Sequence, residues 1–276
     1  MKFTKMHGIG NDYIYFNCFE ENISDPKSLA IKLSDRHYGV GGDGIILICP
    51  SDVADFKMRM FNSDGSESEM CGNGIRCVGK YVYDRKLTDK KIVTIEIKTG
   101  INTLFLNVDN GVVSSVRVDM GAPILEAAKV PVKTDLPEFI NQPVSADGAD
   151  YYMTCVSMGN PHAIAFVDDF SAIDLTHIGP ILENHEIFPE RANIEFVQVI
   201  DKNTLKMHVW ERGSGITLAC GTGACACLVA AVLNEKSDRT ATVILPGGDL
   251  FIEWDEKDNH VYMTGAAEFV FDGEIL

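Results

Sequence analysis

Ala219-Cys220-Gly221-Thr222-Gly223-Ala224-Cys225-Ala226-Cys227-Leu228-Val229-Ala230-Ala231-Val232-Leu233 is the stretch whose reading decides the fold. A cysteine and a glycine-rich turn open it, and small or apolar residues fill the rest. A bilayer span needs about 20 apolar residues, so the run is too short to cross one. A helix that is apolar on every side belongs in the middle of a core. Cys220 is expected at its N-terminus, where unpaired N–H groups and the helix dipole favour negative charge. A thiol there should have its thiolate stabilised. The arrangement recurs at Met70-Cys71-Gly72-Asn73-Gly74-Ile75-Arg76-Cys77-Val78-Gly79-Lys80-Tyr81-Val82.

The recurrence has a fixed period. Cys71 and Cys220 stand 149 residues apart, as do Asn11 and Asn160, Asp25 and Asp174, and Lys57-Met58 and Lys206-Met207. One offset holding without a net gap predicts two copies of one αβ unit. In the first copy, strands enter and leave the turn His7-Gly8-Ile9-Gly10-Asn11-Asp12. Asp25 as N-cap and Pro26 at the first helical position start a short helix reaching about Arg36. Residues 45–49 and 56–61 read as strands, the second cleanly alternating. After the first cysteine helix, 92–98, 103–108 and 112–119 read as a meander with turns at Gly100 and Asn110-Gly111. The offset carries this meander onto 241–268.

The first half is therefore expected to span 1–119 and to regain 266–276, and the second to span 120–265. Alternating strands favour antiparallel or mixed sheets over a doubly wound parallel sheet. The expected class is α+β, with two pseudo-symmetric domains, each a curved, mostly antiparallel sheet wrapped round a central helix. Facing across a cleft, two such halves would bring the helix N-termini together, and clefts between domains commonly hold small molecules.

Composition narrows the function classes. Lys and Arg number 24 against 40 Asp and Glu, a net charge of −16 that argues against nucleic acid and anionic membranes as partners. At 46% hydrophobic the chain is globular. Met1-Lys2-Phe3-Thr4-Lys5 lacks the apolar core of a signal peptide, so the eight cysteines are expected as reduced thiols in a cytoplasm. Cys220, Cys225 and Cys227 are spaced C-x4-C-x-C, and Cys71 and Cys77 C-x5-C; neither is a usual zinc pattern, and no metal is expected.

Two thiols at equivalent helix N-termini suggest a pair of bases on opposite faces of one atom. Removing a proton from one face and delivering one to the other inverts a stereocentre. An amino-acid α-carbon is a very weak acid, so charge developing on its carboxylate needs preorganised donors. N–H groups at Gly72-Asn73 and Gly221-Thr222 would supply them. No lysine sits in a recognisable pyridoxal phosphate setting, so no cofactor is expected. Cys77, Cys225 and Cys227, inside the helices, read as small buried residues.

Seven motifs, in order, resemble the diaminopimelate epimerase family. They are Gly8-Ile9-Gly10-Asn11-Asp12, Phe61-Asn62-Ser63-Asp64-Gly65-Ser66, Cys71-Gly72-Asn73-Gly74-Ile75-Arg76-Cys77, Gly159-Asn160-Pro161-His162, Arg191-Ala192-Asn193, Glu211-Arg212-Gly213 and Cys220-Gly221-Thr222-Gly223. The resemblance covers essentially the whole chain. It implies interconversion of LL- and meso-2,6-diaminopimelate, in lysine and peptidoglycan precursor synthesis, without cofactor or metal. It implies Cys71 and Cys220 as the acid/base pair, with His162 and Glu211 assisting proton transfer and holding the α-amino group. Asn11, Asn62, Asn160, Asn193 and Arg212 would bind the distal, non-reacting end, where amides and a guanidinium fork suit a zwitterion. A small-molecule substrate is the expected partner, and a homodimer is a compatible assembly.

Without the resemblance, His162 reads as a satisfied core histidine and Glu211 as a strand-end carboxylate; Asp43 and Asp64 read as turn residues. One departure stands out. Some family members carry a substrate-contacting glutamine where this chain has Gly44, while its offset partner Asn193 keeps an amide. The rivals are another two-thiol racemase of the same architecture, for proline or hydroxyproline, and a dithiol redox or metal-binding protein. A phenazine-biosynthesis-type isomerase shares the fold but lacks the cysteine pair.

Overall fold

In the computed structural model, which describes residues 1–68 and 70–275, the chain divides into two compact units. The first comprises Met1–Asp119 with Thr264–Leu276, of which Glu69 and Leu276 lie outside the described residues, and the second comprises Met120–Met263. The α-helices among the described residues are α1 (Pro26–Ser34), α2 (Gly72–Asp84), α3 (Leu175–Glu183) and α4 (Gly221–Leu233). Both α1 and α3, and both α2 and α4, start 149 positions apart.

The repeat is visible in the caps. Asp25 accepts from the N–H of Ser28 at the start of α1, and Asp174 from those of Thr176 and His177 at the start of α3, as short acidic side chains do at an N-cap. α1 stops at Ser34, short of the expected Arg36. There the N–H groups of His37 and Tyr38 both turn onto the Asp35 carboxylate at 2.7 Å.

In the first unit the strand Glu268–Glu274 pairs antiparallel with Lys2–Gly8, which pairs with Asn11–Asn17. That strand lies parallel to Gly44–Cys49, which is antiparallel to Phe56–Asn62. A second parallel step leads to Ile92–Ile97, and the meander continues through Gly100–Asp109 and Val112–Asp119. Asn110-Gly111 closes its last hairpin with both residues at positive φ (52° and 82°), the requirement of a tight two-residue turn. α2 touches strands from both ends of this ladder, so the sheet curls round it. Two glycines permit the approach: a Cβ on Gly79 would lie 2.8 Å from Leu104, and one on Gly8 would lie 2.9 Å from the Asn73 carbonyl.

The second unit repeats the plan. Ala149–Ser157, Pro161–Phe166, Asn193–Asp201, Thr204–Glu211, Thr240–Leu245 and Gly248–Trp254 pair in succession, with parallel steps at the second and fourth joins. The strand Gln142–Ala146 is hairpinned onto Ala149–Ser157, the place that Glu268–Glu274 takes beside Lys2–Gly8 in the first unit. α4 contacts strands from opposite sides of its ladder, Ala149–Ser157 and Gly248–Trp254, and residues Gly223–Ala231 are all buried. The fold class is the one expected from the sequence, α+β with a mixed, mainly antiparallel sheet wrapped round a helix in each unit. No helix among the described residues is long and apolar enough to cross a membrane.

Candidate active site

In both units the cysteine is the N-cap of the central helix. Cys71 has extended backbone angles, and its sulfur accepts the Gly74 N–H at 3.3 Å. Cys220 repeats the geometry, accepting from Gly223 at 3.4 Å. Gly72, Asn73 and Gly221 form the first turns with their backbones buried, and the Thr222 hydroxyl lies 3.6 Å from the Cys220 sulfur.

The surroundings of the two thiols differ. In the first unit the half-buried Cys71 thiol donates to Asn11 Oδ1 at 3.1 Å. The Asn11 amide in turn donates to Asp43 Oδ2 at 2.7 Å, and Asp43 also takes the backbone N–H of Asp12 at 3.0 Å. Arg36 bridges Asp43 and Asp12, and Lys5 meets Asp12 at 2.6 Å. Asp43 is thus more than a turn residue: it orients the side chain that touches the thiol. Its position in the Gly41-Gly42-Asp43-Gly44 loop was the available signal. Asp64 does stay within its own turn, taking the Ser66 N–H and hydroxyl. Asn62 braces the same turn, its amide donating to the Ser66 hydroxyl at 3.0 Å.

In the second unit Cys220 is 5% exposed. Burial, and then the nearby Glu211 and Glu195 carboxylates, push its thiol well above the ordinary cysteine range. This corrects the expectation of a stabilised thiolate at this helix end. The Thr222 and Gly223 hydrogen bonds favour the anion, but loss of water and two acidic neighbours outweigh them.

His162 is fully buried, with Nδ1 2.6 Å from Glu195 Oε1 and Nε2 3.0 Å from Asn160 Oδ1. Asn193 donates to the Pro161 carbonyl at 2.7 Å and accepts the Arg212 backbone N–H at 2.9 Å, leaving one N–H and one lone pair. The Arg212 guanidinium is anchored to the Glu190 carbonyl at 2.9 Å, and Glu211 accepts from the Thr217 hydroxyl. The second unit therefore gathers Cys220, His162, Asn160, Asn193, Glu211 and Arg212, and the first gathers Cys71, Asn11, Gly72 and Asn73. Glu195 is the residue that reading the sequence missed. It lies in a run of apolar strand residues, and only the offset from Ile46 marks it as unusual.

Position 44 cannot carry the glutamine of other family members on this backbone. A Cβ on Gly44 would lie 2.1 Å from the Phe61 carbonyl oxygen. Cys77, Cys225 and Cys227 are fully buried in their helices, and burial pushes the Cys77 thiol up to about 11. Among the described residues no group of three or more His, Cys, Asp or Glu side chains is placed to hold a metal ion.

Solved structures define the class. The chain superposes on a phenazine biosynthesis protein of the PhzF family from Bacillus anthracis with a TM-score of 0.71 at 19% identity, covering 100% of this chain and 99% of that one. It also superposes on a hydroxyproline epimerase from Agrobacterium vitis with a TM-score of 0.72 at 13% identity, covering 100% and 90%. At these identities the likeness is one of fold: the paired helix-in-sheet architecture shared with these proteins. The particular family follows from sequence. The family profile described as Diaminopimelate epimerase matches residues 3–126 and 154–270. A diaminopimelate epimerase from Acetivibrio thermocellus is 60% identical over 275 residues, covering 100% of this chain and 98% of the relative. One from Methanococcus maripaludis strain C5 is 58% identical, covering 100% and 99%. The chain belongs to the diaminopimelate epimerase family, and is an isomerase.

Proposed function

We propose that this chain interconverts LL- and meso-2,6-diaminopimelate by exchanging an α-proton between Cys71 and Cys220, one acting as base while the other acts as acid. Family membership supports the reaction. The observation that supports the mechanism is the pair of cysteine N-caps, each with a glycine N–H on its sulfur. Cys220, held neutral by burial and two carboxylates, enters as the proton donor. Cys71 enters as the acceptor. Its resting proton is shared with Asn11, and once that proton leaves, the Gly74 N–H and the first turn of α2 stabilise the charge.

When the α-proton is removed, negative charge spreads onto the adjacent carboxylate. N–H groups of the first helical turns are suited to stabilise it because they are already oriented. His162 and Glu211 serve the α-amino group, and Asn11, Asn62, Asn160, Asn193 and Arg212 hold the distal end. The reading also keeps the expected cytoplasmic setting and the place in lysine and peptidoglycan precursor synthesis. Incubating the purified protein with LL-diaminopimelate and following optical rotation tests it, since the meso product is optically inactive. Rotation should decay with wild type and persist with Cys71→Ala and with Cys220→Ala. Persistence with wild type would overturn the reading.

A further inference from the structure

Glu195 is a buried acidic side chain to which the proposed reaction gives no contact with the substrate. Its residue and its side chain are 0% exposed, Oε1 meets His162 Nδ1 at 2.6 Å, and Oε2 has no hydrogen-bond partner among the described residues. Burying a carboxylate with one oxygen unpartnered is costly, so packing alone does not account for it. The repeat supplies an internal comparison. Glu195 lies over the first turn of α4, where a Cβ on Gly223 would meet its Oε1 at 2.8 Å. The residue 149 positions earlier is Ile46, and a Cβ on the equivalent Gly74 would meet Ile46 Cδ1 at 2.6 Å. An aliphatic side chain therefore fills this place in one unit, and a carboxylate fills it in the other. The same offset sets His162 against Tyr13. The acid occurs in the unit that has the histidine.

We propose that Glu195 is the positioning residue of His162, fixing a proton on Nδ1 so that Nε2, which donates to Asn160 Oδ1 when it carries a proton, is the nitrogen that exchanges it. The proposal rests on the reading of this site as an amino-acid epimerase site. A carboxylate that accepts from one ring nitrogen sets the tautomer and the ring plane. Here Nδ1 is committed to an oxygen that solvent cannot reach, and strand pairing fixes both backbones, with His162 opposite Asn193 and Ile164 opposite Glu195. Gly223 is required as well, because any side chain there would displace the carboxylate. Burial raises the thiols of Cys155, Cys220 and Cys227, and Glu195 adds to that rise through space.

The test uses the full chain. Two-bond proton–nitrogen spectra of 15N-histidine-labelled wild type, with His162 assigned by His162→Gln, report which nitrogen holds the proton in the neutral ring. The Nδ1–H form is expected; the Nε2–H form would overturn the proposal whatever the activity. Glu195→Gln should fold, lose the fixed tautomer and lower kcat by about 10- to 100-fold with KM changed less than about threefold, the usual scale for a group that orients an active side chain. Glu195→Ile, which copies Ile46, should behave in the same way. Unchanged kcat in a folded variant would overturn the proposal, and if neither variant folds the wild-type spectrum decides. Wild type inactive on diaminopimelate would instead refute the functional reading and leave the tautomer measurable.

Discussion

Asn11 accepts the Cys71 thiol proton at 3.1 Å, whereas Asn160, 149 residues later, bonds His162 Nε2 at 3.0 Å. One backbone position, repeated in two units, serves a thiol in the first and an imidazole in the second. The two halves share a scaffold and a capping thiol, but not the groups that surround it.

The Asn11 contact makes a prediction. Asn11→Ala removes the acceptor for Cys71 and the donor to Asp43, one ordinary hydrogen bond each, worth about 0.5–1.5 kcal/mol of stability. The thermal midpoint should fall by only a few degrees, while kcat/KM on diaminopimelate falls at least about tenfold. Asp43→Ala should give a smaller loss of the same kind, since it acts through Asn11. Wild-type kinetics in Asn11→Ala would place the residue outside the site.

Position 44 predicts an incompatibility. Gly44→Gln supplies the amide found in other family members, but its Cβ would lie 2.1 Å from the Phe61 carbonyl oxygen and 3.0 Å from Tyr13. Overpacking of this kind costs about 1–3 kcal/mol or more. Thermal melts should show a loss of at least about 5 °C with no gain in kcat/KM. A variant as stable as wild type would show that the strand can shift.

Asp12 predicts an acid dependence. Burial acts to raise its pKa, but hydrogen bonds from Arg36 and Lys5 outweigh it and hold the carboxyl below the ordinary range. A depressed folded-state pKa contributes stability above the unfolded value of about 3.9, lost as pH falls through the folded value. Asp12→Asn should therefore lower the denaturant midpoint at pH 7 by an amount equivalent to about 1–3 kcal/mol, the scale for charged hydrogen bonds. The gap should narrow as pH falls below the unfolded value and close once the folded-state carboxyl is protonated. A gap that persists at low pH would assign the effect to packing.

Thiol reactivity separates the cysteines outside the site. Cys18 and Cys49 sit just beyond the paired residues Asn17 and Ile48, and both line a surface cavity of about 420 Å³ with Arg59. A hydrogen bond from Cys18, then Arg59 and Lys57, lowers the Cys49 thiol, and Cys18 is raised in consequence. Iodoacetamide at pH 7.5 should label Cys49 before Cys18, Cys77, Cys155, Cys225 and Cys227, as peptide mapping would show. Cys18 labelled first would reverse the assignment.

Much of this was legible in the sequence because it is local. Cysteine followed by Gly-x-Gly sets an N-cap, Asp25-Pro26 starts a helix, and Asn110-Gly111 closes a hairpin, each within a few residues. The 149-residue offset then carried one half's pattern onto the other. The upward push on the Cys220 thiol was not legible, because Glu211 and Glu195 reach it from other strands and helix position alone points the opposite way. Glu195 escaped for a related reason. Strand alternation reads a charge between Ile194 and Phe196 as solvent-facing, and only α4, packed on that face, makes it buried.

Solvent deuterium tests the two-cysteine exchange most directly. With LL-diaminopimelate in deuterated water, the acid that reprotonates carbon is not the base that took the proton. At early times the meso product should carry one α-deuterium per molecule, and recovered LL substrate almost none. Recovered substrate labelled as fast as product would mean that one base serves both faces, and would contradict the assignment of Cys71 and Cys220.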